Sequence, residues 1–194
     1  MSDLAHDAFL SAFNHAMLYE VGKFWDPTDP EVIAGLISTK QQKRKVGFVN
    51  IKGDRGGVTK YGIAQNSHPN IDITALDLAG AQDIYYREYW LTGLCPKLQE
   101  AVAVIHFDGC VNHGPGRARK FLQQSVNAAV DGLIGNKTLD ALAATPEEEI
   151  INNLSHIRIQ FYKDIVNNDP SQSKFINGWL NRISEVTDYA KTLV

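Results

Sequence analysis

Apolar side chains at Leu4, Phe9, Leu10, Phe13, Ala16 and Met17 recur every three or four residues, the period of one helix face. This spacing predicts an amphipathic helix from Asp3 to Glu20 that stops near Gly22. Between Trp25 and Asp54 the pattern breaks. WDPTDPEV is turn-rich, a short helix fits Glu31 to Ser38, KQQKRK (Lys40 to Lys45) reads as a solvated basic loop, and GFVNIKGDRGG reads as a short strand closed by glycines. VTKYGIAQNS then reads as a strand entering a helix. Thr74 is placed to cap a helix running through Leu76, Leu78, Ala81, Ile84, Tyr85 and Trp90 and ending near Gly93 and Pro96.

The run AVAVIHFDGCV (Ala101 to Val111) is almost continuously apolar and suits a buried central helix, with a short buried strand as the alternative. Amphipathic helices follow over Arg117 to Ala128, Lys137 to Ala144 and Glu147 to Asp164, with VDGLIG as a turn. A last helix begins near Ser171 and carries Phe175, Trp179, Ile183 and Val186. The expected fold class is mainly α (α+β), with a small β-hairpin region near residues 46–64.

Composition narrows the functional classes. The chain has 194 residues, 44% of them hydrophobic, enough for one sizeable core or two small lobes. Nineteen lysines and arginines against 22 aspartates and glutamates leave a net charge of −3, so no global positive field exists to capture nucleic acid. No stretch reaches the roughly 20 apolar residues that span a bilayer, so no stable membrane insertion is expected. MSDLAHDAFLSAF lacks the basic start and continuous apolar core of a signal peptide, which implies synthesis in a cytoplasm. Cys95 and Cys110 flank the apolar run without CxxC or histidine spacing, and read as two buried free thiols rather than a disulfide. No metal and no cofactor is expected.

The chemistry-bearing residues begin with Glu20. At the C-terminal end of a helix the dipole disfavours negative charge, which suits a carboxyl group that must hold a proton. Asp54 and Thr59 lie in turn-rich sequence able to fold back over that helix end. Glycosidic cleavage needs such a pair: an acid for the leaving oxygen, and a group that activates water or stabilises the oxocarbenium-like transition state. Spacing alone does not single this pair out from ordinary surface carboxylates.

FLSAFNHAMLYEVGKF followed by GFVNIKGDRGGVTKYGIAQ resembles the opening of glycoside hydrolase family 108, whose hallmark is E-G-G-Y followed by D-x-G-G-x-T-x-x-G-I. The second motif is intact here as Asp54, Gly56, Gly57, Thr59, Gly62 and Ile63. The first keeps its glutamate but continues as Val21, Gly22, Lys23 and Phe24, and the segment from Trp25 to Val46 is extra. That segment offers Asp26 and Asp29 as alternatives to Asp54 for the second carboxylate. ALDLAGAQDIYYREYW resembles the family's helix ending in Tyr89 and Trp90, and HFDGCVNHGPGRARKFLQQSVNAAVDGLIGNKTLDAL with FYKDIVNNDPSQSKFINGWLNR resembles its C-terminal peptidoglycan-binding partner.

The resemblance implies a lysozyme-like helical fold with a catalytic lobe over residues 1–93 and a helical C-terminal lobe over residues 94–194. It implies an N-acetylmuramidase of the phage endolysin type, acting as a monomer on bacterial peptidoglycan after a separate pore protein releases it to the cell wall. Glu20 is then the catalytic acid, with Asp54 and Thr59 its partners. Tyr61, Trp90, Asp108, Asn112 and His113 are candidate substrate contacts, with the cleft expected where the hairpin meets the helices around Asp108 to Asn112. For Trp90 and Trp179, a role as core anchor competes with sugar stacking. A lytic transglycosylase and a non-catalytic wall-binding or structural protein remain as alternatives.

Overall fold

The computed structural model describes the backbone of residues 3–50 and 57–194 and the side chains of residues 6–50 and 57–194. The chain forms two compact units, Phe13–Arg87 and a larger one made of residues 1–12 with Glu88–Val194. Helices dominate both, and the strands among the described residues form a single two-stranded antiparallel sheet, as expected for a mainly α lysozyme-like fold.

Helix α1 runs from Asp3 to Glu20, and its face of Phe9, Ala12, Phe13, Ala16 and Met17 is buried while Leu10 is half-buried. Gly22, with φ +94°, turns the chain away just past its end. In the smaller unit, α2 (Pro30–Ile33) and α3 (Lys40–Lys45) follow. The basic run is therefore a helix rather than a loop. Thr39 accepts from the Gln42 amide while the Gln42 side chain accepts from the Thr39 amide, a reciprocal cap that nucleates even this short turn. Lys45 is not solvated either: its Nζ lies 2.6 Å from both Asp29 and Glu31.

Strands β1 (Thr59–Lys60) and β2 (Ile63–Ala64) pair Thr59 with Ala64 and Lys60 with Ile63, and Val49 bridges to Thr59. The linking residues, Tyr61 and Gly62, have φ +52° and +74°, the two positive angles of a type I′ hairpin turn. A 3₁₀ turn at Gln65–Ser67 follows in place of the expected helix. Helix α4 (Leu78–Tyr85) starts later than expected because Asp77, not Thr74, caps it, accepting from the Gly80 amide at 2.8 Å. Thr74 instead closes a turn on Asp72. Beneath the hairpin, Phe13 packs edge-on against Trp25 and Tyr85, and Trp25 against Tyr61.

The larger unit is built around α5 (Glu100–His113), whose residues Ala101 to Cys110 are all buried. Helices α6 (Pro115–Ser125), α8 (Glu147–Asn168) and α9 (Ile176–Lys191) pack on it. A helix covered on several sides needs no polar face, which explains the unbroken apolar run. Between α6 and α7 (Asn136–Ala144), the VDGLIG turn is clasped by buried Gln123, which donates to Asp131 and accepts from the Gly132 amide, each at 2.7 Å. The first residues of α1 belong to this unit through Phe9, which meets Trp90 at 5.7 Å and Phe107 at 6.0 Å.

Candidate active site

Glu20 is half-buried at the last position of α1. Two loop glycines with positive φ approach it. A Cβ added to Gly47 (φ +59°) would meet the Glu20 carbonyl at 3.4 Å and Val21 Cα at 3.3 Å. A Cβ on Gly62 would sit 3.1 Å from both Cβ and Oε2 of Glu20, and 2.7 Å from the Tyr85 hydroxyl. The hairpin turn therefore lies against the Glu20 side chain, and only a residue without a side chain fits there.

The turn is held from below. The Tyr85 hydroxyl donates to the Tyr61 carbonyl at 3.0 Å, and the buried Tyr61 hydroxyl donates to the Val32 carbonyl. Burial pushes the Tyr61 hydroxyl far above its ordinary range, so it stays a donor. Lys60 is fully buried and donates to the Thr74 carbonyl at 3.0 Å, its pKa lowered by desolvation against the opposing charges of Asp77 and Asp72. These contacts fix Tyr61 in a left-handed conformation that a bulky residue adopts only when its surroundings enforce it.

Gly62→Ala is expected to cost about 1–2 kcal/mol in backbone strain, while pushing Glu20 or Tyr85 aside. Misplacement of a catalytic group by about 1 Å costs on the order of 10²-fold in rate. Urea denaturation and turnover measured on the same preparation check both effects, and an unchanged rate would show that Gly62 does not position Glu20.

Of the three candidates for a second carboxylate, Asp26 and Asp29 are among the described residues. Asp54 lies outside the described residues, as does Gly56. Asp26 accepts from the Thr28 hydroxyl at 2.7 Å and from its amide at 2.9 Å, bonds that hold its carboxyl below the usual range. Asp29 caps α2 and binds Lys45, whose hydrogen bond lowers its carboxyl likewise. Both are committed to the structure of the extra segment. Thr59 starts β1, half-buried and bonded through its backbone to Val49. A Cβ added to Gly57, which has φ +72°, would meet Gln65 and Asn66 at 3.4 Å.

Of the expected substrate contacts, Tyr61, Trp90 and Asp108 are buried, and Asn112 and His113 are half-buried. Tyr61 has no exposed surface, and Trp90 is 1% exposed among Phe9 and Phe107. Asp108, 1% exposed, binds Arg158 Nη2 at 2.6 Å and Arg182 Nε at 2.8 Å. With its amide oxygen toward Arg182, Asn112 accepts from Nε at 2.7 Å and donates to the Tyr162 hydroxyl at 2.9 Å. Trp179 is stacked on Tyr162 with centroids 4.6 Å apart. Asp108 and its two arginines form a polar network inside the larger unit, with half-buried Asn112 beside it.

His113 packs against Phe121, Phe161 and Tyr162. Burial, helped by the nearby Arg158 charge, lowers its pKa to about 3. Since the unfolded group titrates near 6.5, this contribution to stability is complete above that value and is lost as pH falls from 6.5 toward 3. Its ring resonances are expected not to titrate by NMR down to about pH 4. A midpoint near 6.5 would contradict the burial.

Sequence reasoning missed Tyr85 and Gly47, which position the site. Tyr85 looked like one more apolar residue of a helix face, and nothing local reveals its bond to the hairpin.

Residues 42–114 match the family described as glycosyl hydrolase 108, and residues 117–184 match a "Predicted Peptidoglycan domain". The first match contains the hairpin and Gly62 but starts after Glu20, so geometry is what joins the glutamate to the motif. The solved structure of Brucella abortus SagA is similar at 30% identity and a TM-score of 0.64, over 75% of this chain and 86% of that one. No curated protein matches. With the motif glycine lying on the Glu20 side chain and both halves matched in order, the chain belongs to the glycosyl hydrolase 108 family and is a glycoside hydrolase-type enzyme of peptidoglycan breakdown.

Proposed function

We propose that the enzyme is an N-acetylmuramidase, hydrolysing the β-1,4 bond between N-acetylmuramic acid and N-acetylglucosamine with Glu20 as general acid. The observation that carries this reading is that Gly62, within the matched motif, lies so close to Glu20 that a Cβ built on it would fall 3.1 Å from Oε2. Glu20 protonates the bridging oxygen, while Asp54 and Thr59 orient water or stabilise charge at the anomeric carbon. Carboxyl groups roughly 5 Å apart would give retention, and roughly 6.5–9.5 Å inversion.

In this proposal the biological role is that of a phage endolysin, made in the host cytoplasm and reaching the wall through a separate pore. No described helix is long and apolar enough to cross a membrane, which is compatible with that route. Mass spectrometry of muropeptides released from purified sacculi tests the reaction. Reducing N-acetylmuramic acid ends are expected. Anhydro ends would make the enzyme a transglycosylase, reducing N-acetylglucosamine ends would place the cut at the other glycosidic bond, and no release would leave a wall-binding protein.

A further inference from the structure

In the larger unit, Cys95, His106 and Cys110 meet in the core although Cys95 is remote from the other two in sequence. All three are buried, and one ligand atom from each lies within 4.8 Å of the others. His106 and Cys110 stand one helical turn apart on α5, so their side chains share a face. Cys95 is delivered by a 3₁₀ turn at Cys95–Lys97.

We propose that these residues form a structural site for a soft divalent cation, of which zinc is the physiological case. Two thiolates and an imidazole are the donor types that select zinc over magnesium or calcium. The Cys110 Sγ to His106 Nε2 distance is 3.6 Å. Zinc bonds of about 2.3 Å to sulfur and 2.0 Å to nitrogen at tetrahedral angles give an edge of about 3.5 Å. The carbonyl oxygen of Gly93, 2.9 Å from Nε2, is at hand as a fourth donor.

Gly93 makes room for the cluster. A Cβ there would fall 2.6 Å from the Cys110 sulfur and 3.2 Å from the Cys95 sulfur, so the backbone passes where a side chain would displace both. Metal binding sends both thiol protons to solvent and moves the imidazole proton from Nε2 to Nδ1. The closed, buried position ties the turn before α5 to the helix at the centre of this unit, away from any role in catalysis.

The motif that sequence reading passed over is H-x-x-x-C within HFDGC, which places both groups on one helix face. What no local pattern reveals is the third ligand.

The test is titration of the reduced, metal-free full chain with Co²⁺, followed by absorption. These are the chain's two cysteines, so a thiolate-to-cobalt charge-transfer band identifies the site without mutagenesis. The expected result is that band, together with tetrahedral d–d bands, saturating at one equivalent and displaced by Zn²⁺. A Zn²⁺-dependent rise in melting temperature, reversed by chelator, is expected with it. His106→Gln is expected to lose the tetrahedral bands. Absence of the charge-transfer band in the wild type overturns the proposal. So does a mass two protons lower in the protein as isolated, since that marks a Cys95–Cys110 disulfide.

Discussion

Replacing Glu20 with glutamine is expected to lower muropeptide release by at least about 10²–10⁴-fold, the range that a positioned general acid contributes, while leaving the fold intact. The amide keeps the size and shape of the carboxyl group. It therefore preserves the packing under Gly62, whose Cβ position lies 3.1 Å from the Glu20 side chain, but it cannot donate a proton to a leaving oxygen. Unfolding by urea should shift by no more than about 0.5 kcal/mol. Wild-type release by the variant would remove Glu20 from the mechanism. The companion substitutions locate the second group: Asp54→Asn is expected to depress turnover strongly, whereas Asp26→Asn is expected to leave it close to wild type. Asp26 already spends its carboxylate on the Thr28 turn.

Asp108→Ala is expected to destabilise the protein by about 3–5 kcal/mol, because removing one partner of a buried ion pair strands the other charge. Two charges are affected: Arg158 is 1% exposed, and the side chain of Arg182 is 13% exposed. Net stabilities of domains are only about 5–15 kcal/mol, so the variant should be close to unfolding. Although burial pushes the Asp108 carboxyl up, the two arginines win and hold it below the usual range. A group lowered in this way contributes stability above its unfolded pKa, near 3.9, and loses it as pH falls through the lower folded value. Replacing Asp108, Arg158 and Arg182 together by apolar residues of similar volume should recover most of the loss. Denaturant melts of the single and triple variants at neutral pH check this; equal destabilisation in both would mean that stranded charge is not the cause.

Local pattern was enough for the large helices. The apolar face ending at Met17, the break at Gly22 and the unbroken run from Ala101 each follow from short-range periodicity or a single glycine. Where reading by residue type went astray, the deciding signal was either local and overlooked or non-local. The basic run looked like a loop because charge was weighed ahead of the Thr39/Gln42 cap. Thr74 looked like a cap, but Asp77 stood nearer the first buried turn. Asp108, Asn112 and His113 looked like a cleft wall because polar residues on an apolar helix have two explanations. Arginines on α8 and α9, fifty or more residues away, supplied the second.

Sequence alone, then, determined the helical class, the position of Glu20 at a helix end, and the motif glycines that mark the family. Tertiary structure decided what those residues touch. Gly62 lies on Glu20, Tyr85 holds the hairpin, Asp108 is balanced by two arginines, and Cys95 joins a histidine and a cysteine on another element. The division has a physical cause. Helix periodicity and turn preference act over a few residues and leave a trace in the local pattern. Pairing of buried charges, sulfurs and backbone turns depends on which distant segments the core brings within a few ångströms.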